Sequence, residues 1–240
     1  MAKEGTKQAL PASNFNRELY NHLSQTYDSR QENPATLFLR KKELGLIRRF
    51  SKGLVVDLGC GTGHHLNLAE NVIGLDISEK MLNIAKSKNK PLTQGNIKNL
   101  PFKDASADTI YYFFSTLNFV GLDCVREVSR TVKTGGKILL SVTSVMDIDK
   151  SRSSPEAKVK KFRIDGKPVN TRLFEKGEIV ERFREEGFKL VNFGSIFRLQ
   201  KPRWGNFQPF SFWEKLKLKT ETLLPKKWGK VYLFVFERLL

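Results

Sequence analysis

The sequence predicts an α/β protein with a Rossmann-like, doubly wound fold, in which a mostly parallel sheet of seven strands has an antiparallel last strand. Short apolar runs alternate with amphipathic stretches along the middle of the chain, and the first of these runs ends in a glycine-rich turn. Strands that alternate with helices require right-handed crossovers, which place helices on both faces of a parallel sheet. With 240 residues, 40% of them hydrophobic and 28% charged, the chain is long enough to form one sizeable core.

The N-terminal part of the chain is predicted to be helical after a short tail. Residues 1–14 are polar and are predicted to be disordered, ahead of a single domain at residues 15–240. Between residues 15 and 50, apolar side chains recur at helical spacing, which predicts two helices that separate near Asn33-Pro34.

The rest of the domain is predicted from the period of the apolar residues and from the glycines between them. The predicted strands are residues 54–56, 72–75, 92–94, 107–114, 137–142, 189–197 and 231–236. The predicted helices are residues 63–70, 79–87, 123–132 and 176–186. The charged residues 147–161 are predicted to form a mobile loop or a short helix.

An insertion at residues 199–230 has an unusual composition for a connection between two strands, since such connections are usually short. It contains six aromatic residues, eight lysines and arginines, and two glutamates, for a net charge of +6. Within it, residues 210–224 have the pattern of an amphipathic helix.

The net charge of +17 is distributed unevenly along the chain. Residues 53–149 are neutral, whereas residues 1–52 have a charge of +5 and residues 150–240 a charge of +12. Basic flanks of this kind suit a polyanionic partner such as RNA, an anionic membrane surface or a phosphorylated substrate, and equally suit a solvated surface that aids solubility.

The chain shows no sign of secretion or of membrane insertion. The N-terminal residues lack the apolar stretch of a signal peptide, and no apolar run approaches the roughly 20 residues that span a bilayer. The two cysteines and three histidines are not spaced as metal ligands, so no metal is predicted. A cytoplasmic protein is expected, with peripheral attachment to a membrane as the alternative.

The turn after the first predicted strand is a candidate ligand-binding loop. Asp57 is followed by Gly59, Gly61 and Gly63, and glycines at such positions let the backbone turn sharply and approach a ligand closely. Nineteen residues after Asp57, a second apolar run ends in Asp76, at a spacing that suits an acceptor for two ribose hydroxyls. Together these residues indicate a nucleoside-containing cofactor.

The glycine spacing disfavours a nicotinamide or flavin dinucleotide. The dinucleotide fingerprint is Gly-x-Gly-x-x-Gly, and its third glycine would fall on His64 when the motif is counted from Gly59. After Asp57, the glycines instead fall at every second position, 59, 61 and 63.

At this point the sequence resembles the class I S-adenosylmethionine-dependent methyltransferases, in particular the branch with small-molecule, quinone and tRNA methylating enzymes. The resemblance covers residues 50–145, which would form the cofactor-binding core. Its motifs are Val56-Asp57-Leu58-Gly59-Cys60-Gly61-Thr62-Gly63, Ile73-Gly74-Leu75-Asp76, Asn99-Leu100-Pro101-Phe102 and Lys133-Thr134-Gly135-Gly136-Lys137. The resemblance implies methyl transfer from S-adenosylmethionine.

The resemblance also implies roles for single residues. Asp57 and the backbone at Gly59, Cys60, Gly61 and Gly63 would hold the methionine end of the cofactor. Asp76, with its neighbour Ile77, would hold the ribose. Asn96, with Ile97, stands where relatives often have an acid for the adenine amino group. Ser115 would lie near the donor, and a tyrosine of the N-terminal helices, Tyr27 or Tyr20, would close over it.

The sequence does not identify a catalytic residue. His64 and His65 could be acid or base groups at the mouth of the site, although residues after such a turn more often only begin a helix. Cys60 is expected to pack rather than react, and Tyr111 and Tyr112 are expected to be strand residues. Methyl transfer needs mainly alignment of donor and acceptor, so a general base is required only for an acceptor that is not already nucleophilic.

The acceptor is predicted only as a class, from the basic flanks. The 199–230 insertion could be a lid over a small-molecule substrate, could contact a membrane or a lipid substrate, or could stack on RNA bases. A small molecule or lipid is the favoured acceptor, and tRNA or another RNA is the alternative. A module that binds S-adenosylmethionine without turnover is a further alternative.

Overall fold

A computed structural model describes residues 12–145, 158–197, 208–220 and 229–239. Their principal sheet has seven strands in the order β3-β2-β1-β4-β5-β9-β8, and a two-stranded hairpin, β6-β7, stands apart from it. The strands are β1 Val55–Leu58, β2 Val72–Asp76, β3 Leu92–Gln94, β4 Ala107–Tyr112, β5 Val132–Thr143, β6 Val159–Ile164, β7 Lys167–Arg172, β8 Phe188–Ile196 and β9 Val231–Arg238.

The α-helices lie before, between and after these strands. They are α1 Ala12–Leu23, α2 Tyr27–Gln31, α3 Pro34–Phe50, α4 Glu79–Ala85, α5 Thr116–Val120, α6 Val125–Thr131, α7 Lys176–Glu185 and α8 Phe212–Thr220. None of the described helices is both long and apolar enough to cross a membrane.

Strands β1 to β5 pair in parallel, and β9 runs antiparallel between β5 and β8. The predicted fold class is confirmed, including the antiparallel last strand. The central strand β1 is buried along its whole length, with Val56 opposite Ile73 on one side and Ile110 on the other. A strand that is buried on both faces has a nearly continuous run of apolar residues, so this strand could be predicted from the sequence.

Successive strand residues enter two cores on opposite faces of the sheet. Val56 and Tyr112 pack with α6 and α7 on one face, whereas Val55 and Tyr111 pack with α3 and α4 on the other. The alternation follows from the two-residue period of a strand. The carboxyl ends of β1, β2 and β4 therefore meet at one edge of the sheet, between the two helical layers.

The N-terminal helices separate at the predicted proline. Pro34 is the first residue of α3, and the Asn33 side chain caps this helix by accepting from the Thr36 amide at 3.0 Å. The first helix is interrupted at residues 24–26, so three helices form instead of two. Helix α1 begins at Ala12, two residues before the end of the predicted tail; residues 1–11 lie outside the described part.

Two local predictions are wrong. Residues 63–70 form turns and a single 3₁₀ turn, Leu66–Leu68, instead of an α-helix, because Gly61 and Gly63 have left-handed φ values of 54° and 87°. Residues 159–161 belong to β6 and not to a loop or a helix. Of the rest of the segment predicted as a loop, residues 147–157 lie outside the described part, and Lys158 directly precedes β6.

Only part of the predicted insertion at residues 199–230 can be described. The amphipathic helix predicted at residues 210–224 is confirmed in shorter form as α8, Phe212–Thr220. Residues 199–207 and 221–228 of the insertion lie outside the described part of the chain.

Candidate active site

The glycine-rich turn forms the floor of a cavity at the carboxyl edge of the sheet. Gly59 leaves β1 with a φ of 73°, and its amide donates to the Leu75 carbonyl of β2 at 2.7 Å. A side chain at Gly59 would bring its Cβ within 2.9 Å of Thr116, whereas a Cβ on Gly61 would meet nothing closer than Tyr27 at 3.9 Å. The backbone at Gly61 is thus open on the side that a ligand would occupy.

Asp76 ends β2 beside this turn. One carboxylate oxygen accepts from the Gly61 amide at 2.9 Å and the other from the Ser78 amide at 2.8 Å. Burial raises the pKa of Asp76, while these backbone hydrogen bonds oppose the rise. The side chain is 8% exposed and faces the cavity, so a buried acceptor is in place for hydroxyl groups.

The first cavity has a volume of about 260 Å³. Of the residues predicted for the cofactor, eight line it, including both candidate tyrosines: Tyr20, Tyr27, Gly59, Gly61, Asp76, Ile77, Asn96 and Ile97. Sequence reasoning missed several of its other walls, which come from helices α1, α4 and α5 and from the loop after β4: Asn16, Met81, Phe114, Thr116, Phe119 and Val120. The side-chain oxygen of Asn96 also accepts from the Lys98 amide at 3.0 Å, which fixes its orientation.

The other predicted residues lie around the first cavity but do not line it. Asp57 is buried beneath the turn, and Cys60 packs into the core with Val55. A Cβ on Gly63 would come within 2.9 Å of Lys88, which makes this a packing glycine. Ser115 lines a second, neighbouring cavity, where its hydroxyl lies 2.9 Å from that of Thr143.

Three buried ionisable groups lie together beneath the turn. Glu43 of α3 is fully buried, and its Oε1 accepts from the Phe114 amide at 3.1 Å and from the Ser141 hydroxyl at 2.5 Å. Its Oε2 lies 3.3 Å from Nε2 of His65. Burial raises the pKa of Asp57 to about 6, against the lowering effect of His65.

The second cavity, of about 620 Å³, adjoins the first and is the larger of the two. The two share the side chains of Tyr20, Tyr27, Phe114 and Phe119 as a common wall. The remaining walls come from α1, α2, α3, α5, β5 and the β6-β7 hairpin: Leu23, Arg30, Gln31, Asn33, Leu39, Ser115, Asn118, Thr143, Lys160, Phe162, Ile164 and Thr171.

The lining of the second cavity contains hydroxyls, amides and two cations. Among the described residues, no aspartate, glutamate or histidine lines it. Burial raises the pKa values of Tyr20 and Tyr27 well above that of an ordinary phenol, so both hydroxyls stay neutral. Asn118 bridges β5 and β7 by donating to the Thr143 carbonyl at 2.9 Å and to the Arg172 carbonyl at 2.5 Å, which makes it a structural residue.

Helix α2 is attached to the glycine-rich turn and to the β6-β7 hairpin. Asp28 accepts from the Thr62 hydroxyl at 2.6 Å and lies 2.9 Å from Nε2 of His64. Partial burial raises the pKa of Asp28, but the hydrogen bonds from Thr62 and His64 oppose this, and the net pKa is lowered. Two residues along, Arg30 pairs with both carboxylate oxygens of Asp165 at 2.8 and 2.9 Å.

Neither histidine of the turn begins an α-helix. His64 contacts Asp28 of α2, and His65 contacts Glu43 and the ring of Phe113, whose centroid is 5.2 Å away. Their side chains therefore tie the turn to α2 and α3. Within the described ranges, no group of three or more histidine, cysteine or acidic side chains is placed to hold a metal ion.

These features fit S-adenosylmethionine. The open backbone at Gly61 leaves room for a ligand, Asp76 is aimed into the cavity, and the Oδ2 atom of Asp57 is buried without a hydrogen-bond partner. A parallel sheet that presents a glycine turn and an acid at the carboxyl ends of adjacent strands defines a nucleoside-cofactor domain.

Comparison with known proteins supports this. Residues 56–140 match the family described as a methyltransferase domain. An uncharacterised protein of Methanocaldococcus jannaschii is 34% identical over 199 residues, which are 73% of this chain and 76% of the relative. A demethylmenaquinone methyltransferase of Lactococcus lactis is 32% identical over 149 residues, which are 53% of this chain and 58% of the relative.

Solved structures share the fold. An S-adenosylmethionine-dependent methyltransferase of Thermotoga maritima, described as a possible histamine N-methyltransferase, superposes with a TM-score of 0.65 at 20% identity. The match covers 92% of this chain and 99% of that one. The chain belongs to the S-adenosylmethionine-dependent methyltransferases, and S-adenosylmethionine is its cofactor.

Proposed function

We propose that this methyltransferase binds S-adenosylmethionine in the first cavity and methylates a small, largely apolar molecule in the second. The wall shared by the two cavities is the observation that supports this most directly. Two large cavities that meet at Tyr20, Tyr27, Phe114 and Phe119 give donor and acceptor separate places with one point of contact.

In the first cavity, Asp76 would accept from the ribose hydroxyls and Asn96 from the adenine amino group. The backbone at Gly59 and Gly61, with Asp57 beneath, would hold the methionine end. When bound, the cofactor supplies a methyl group on a positively charged sulfur. In the transfer that it would support, the acceptor's lone pair would bond to the methyl carbon, and the electron pair of the carbon–sulfur bond would stay on sulfur.

The protein's contribution is alignment and exclusion of water. Aromatic side chains shield the point where the cavities meet, and positioning alone contributes about 7–11 kcal/mol to favourable intramolecular reactions. Because no carboxylate or imidazole lines the described walls of the second cavity, an acceptor whose attacking atom already has an available lone pair suits it.

An apolar ring system is compatible with these walls. Phe114, Phe119 and Phe162 offer aromatic surfaces on which such a ring would stack. A demethylmenaquinone methyltransferase is among the relatives, although the chain spans only 58% of its length. The charge of +12 on residues 150–240 favours RNA as the second candidate acceptor.

The test combines a labelled donor with a variant that fills the second cavity. Thr171→Trp places a large ring at a buried position of β7 that lines this cavity, and Asn170→Trp, exposed and on the opposite face of the same strand, is the matched control. Each protein is incubated with methyl-labelled S-adenosylmethionine and with soluble-metabolite, lipid and total RNA fractions.

We expect label in the metabolite or lipid fraction with the wild type and with Asn170→Trp. Thr171→Trp should lose at least nine-tenths of the transfer while its affinity for S-adenosylmethionine, measured by calorimetry, stays within twofold. Label that enters only RNA would support the second candidate. Normal cofactor binding without label in any fraction would instead indicate a non-catalytic binding module.

A further inference from the structure

Helix α8 has two faces of different character. At 100° per residue, Phe212, Leu216 and Trp213 fall within one arc of about 100°, and they are 71%, 39% and 68% exposed. Leu218 and Glu214 lie on the opposite side and are half-buried. Large aromatic side chains are seldom exposed to this extent side by side, and such patches mark interaction sites.

Lysines border the exposed apolar arc on both sides. Lys215 and Lys219 fall on one flank of the arc and Lys217 on the other, and all three are exposed. The single acid of the helix, Glu214, caps its N-terminus, because its carboxylate accepts from the Ser211 amide at 2.8 Å while the Ser211 hydroxyl accepts from the Glu214 amide at 3.3 Å. The outward face is therefore apolar in the middle and cationic at both edges.

The inward face of α8 attaches the helix beside the second cavity. Leu218 and the preceding Phe210 pack against a core cluster that includes Leu39 and Phe197. Leu39 is also a wall of the second cavity. The apolar arc of α8 thus belongs to an element anchored next to the site proposed for the acceptor.

We propose that α8 docks this protein on an anionic membrane surface. Phe212, Trp213 and Leu216 would enter the boundary between headgroups and acyl chains, and the lysines on each flank would meet anionic headgroups. The charge of +12 on residues 150–240 adds long-range attraction to such a surface. An aliphatic leucine between the two aromatics suits acyl chains better than nucleic-acid bases, which stack on rings.

Docking through α8 has a consequence for the acceptor. A helix that lies in the interface holds the second cavity close to the bilayer, from which a lipid-soluble acceptor would enter. This part of the inference rests on the proposed function, whereas membrane binding itself requires no turnover.

The test is co-sedimentation of the full chain with vesicles at about 0.1 M salt. Vesicles of phosphatidylcholine alone are compared with vesicles that contain about 30 mol% phosphatidylglycerol. The test variant is the double substitution Phe212→Ser with Trp213→Ser, and the matched control is Leu239→Ser, which removes an apolar side chain that is 46% exposed at the end of β9.

We expect the wild type and Leu239→Ser to bind the anionic vesicles at least tenfold more tightly than the neutral ones. The double variant should lose at least tenfold in affinity for the anionic vesicles and keep its circular dichroism spectrum and its affinity for S-adenosylmethionine. Equal vesicle binding by the double variant, or no binding by the wild type, would overturn the proposal. The proposal would also be overturned if light scattering showed that the apolar arc mediates dimerisation, or if the protein bound total tRNA through it. In either case the double variant would lose that property.

Because vesicle binding and cofactor binding are measured separately, a failure of membrane docking leaves the proposed methyl transfer intact. Conversely, docking with normal affinity by a protein that methylates nothing would contradict the proposed function alone.

Discussion

The Oε2 atom of Glu43 lies 3.3 Å from Nε2 of His65, and both atoms are buried from solvent. Burial lowers the pKa of His65, but the adjacent Glu43 carboxylate, and then that of Asp57, raise it by more, so the net pKa is raised. The same glutamate accepts a hydrogen bond from the Phe114 amide. Phe114 and the next residue, Ser115, have left-handed φ values of 56° and 64°. Glu43 thus joins the glycine-rich turn to the wall shared by the two cavities.

Replacing Glu43 by Gln should change how stability depends on pH. The raised pKa of His65 stabilises the wild type fully below the unfolded-state pKa of about 6.5, and this contribution is lost as pH rises through the folded-state value. The variant should be less stable by about 3 kcal/mol at pH 6, because one partner of a buried pair is removed, and the difference should shrink at pH 9. Urea unfolding between pH 6 and pH 9 measures this difference in stability. A difference that does not depend on pH would contradict the raised pKa of His65.

Asp57→Asn should separate stability from cofactor binding. The pKa of Asp57 is raised to about 6, so the folded wild type binds a proton that the unfolded chain releases near pH 4, and its stability falls as pH rises between these values. The variant should lack this fall and be more stable by about 1–2 kcal/mol at pH 8, since no charge is buried. Its affinity for S-adenosylmethionine should fall at least tenfold. Unchanged affinity would place Asp57 outside the cofactor site.

Asp76→Ala should weaken cofactor binding more than it weakens the fold. The carboxylate lies in the first cavity and would make charge-assisted hydrogen bonds to the ribose, so its loss should cost about 1.5–3 kcal/mol of binding free energy. Calorimetry with S-adenosylmethionine measures this loss. Asp104→Ala, which removes a carboxylate whose side chain is 77% exposed and pairs with Arg130, outside the first cavity, is the control and should leave the affinity unchanged.

Asp28→Ala should loosen helix α2 from the glycine-rich turn. The variant loses the contacts to Thr62 and His64, and with them a restraint on Tyr27, which lines both cavities. We expect cofactor dissociation at least fivefold faster in stopped-flow displacement, with a loss of about 1 kcal/mol in stability. Glu32→Ala, an exposed acid just beyond α2, should change neither quantity.

The elements that position the cofactor were predictable because their signals are local. The apolar run of β1, the glycines that follow it and Asp76 at the end of β2 all lie within residues 55–76. The N-cap at Asn33 and the first helical residue Pro34 were equally local. The second cavity, where we propose that the acceptor binds, was not predictable, because it is assembled from six elements that are distant in sequence.

Two missed features did have a signal. Asp165-Gly166 is a dipeptide that favours a two-residue hairpin turn, and it connects β6 to β7 with φ values of 48° and 76°. The high charge around it obscured the strands. Glu43 shares the helical spacing of Leu39 and Ile47, both buried, which places an acid on the core face of α3.

Helix α2 has a kinetic consequence. Asp28 holds the helix to the cofactor turn and Arg30 holds it to the hairpin of the second cavity, only two residues apart. A displacement of α2 that opens one cavity would therefore strain the attachment of the helix beside the other cavity. If the acceptor binds in the second cavity as proposed, we expect donor and acceptor to exchange through one shared motion of α2, which product-inhibition patterns would show as an ordered rather than a random mechanism.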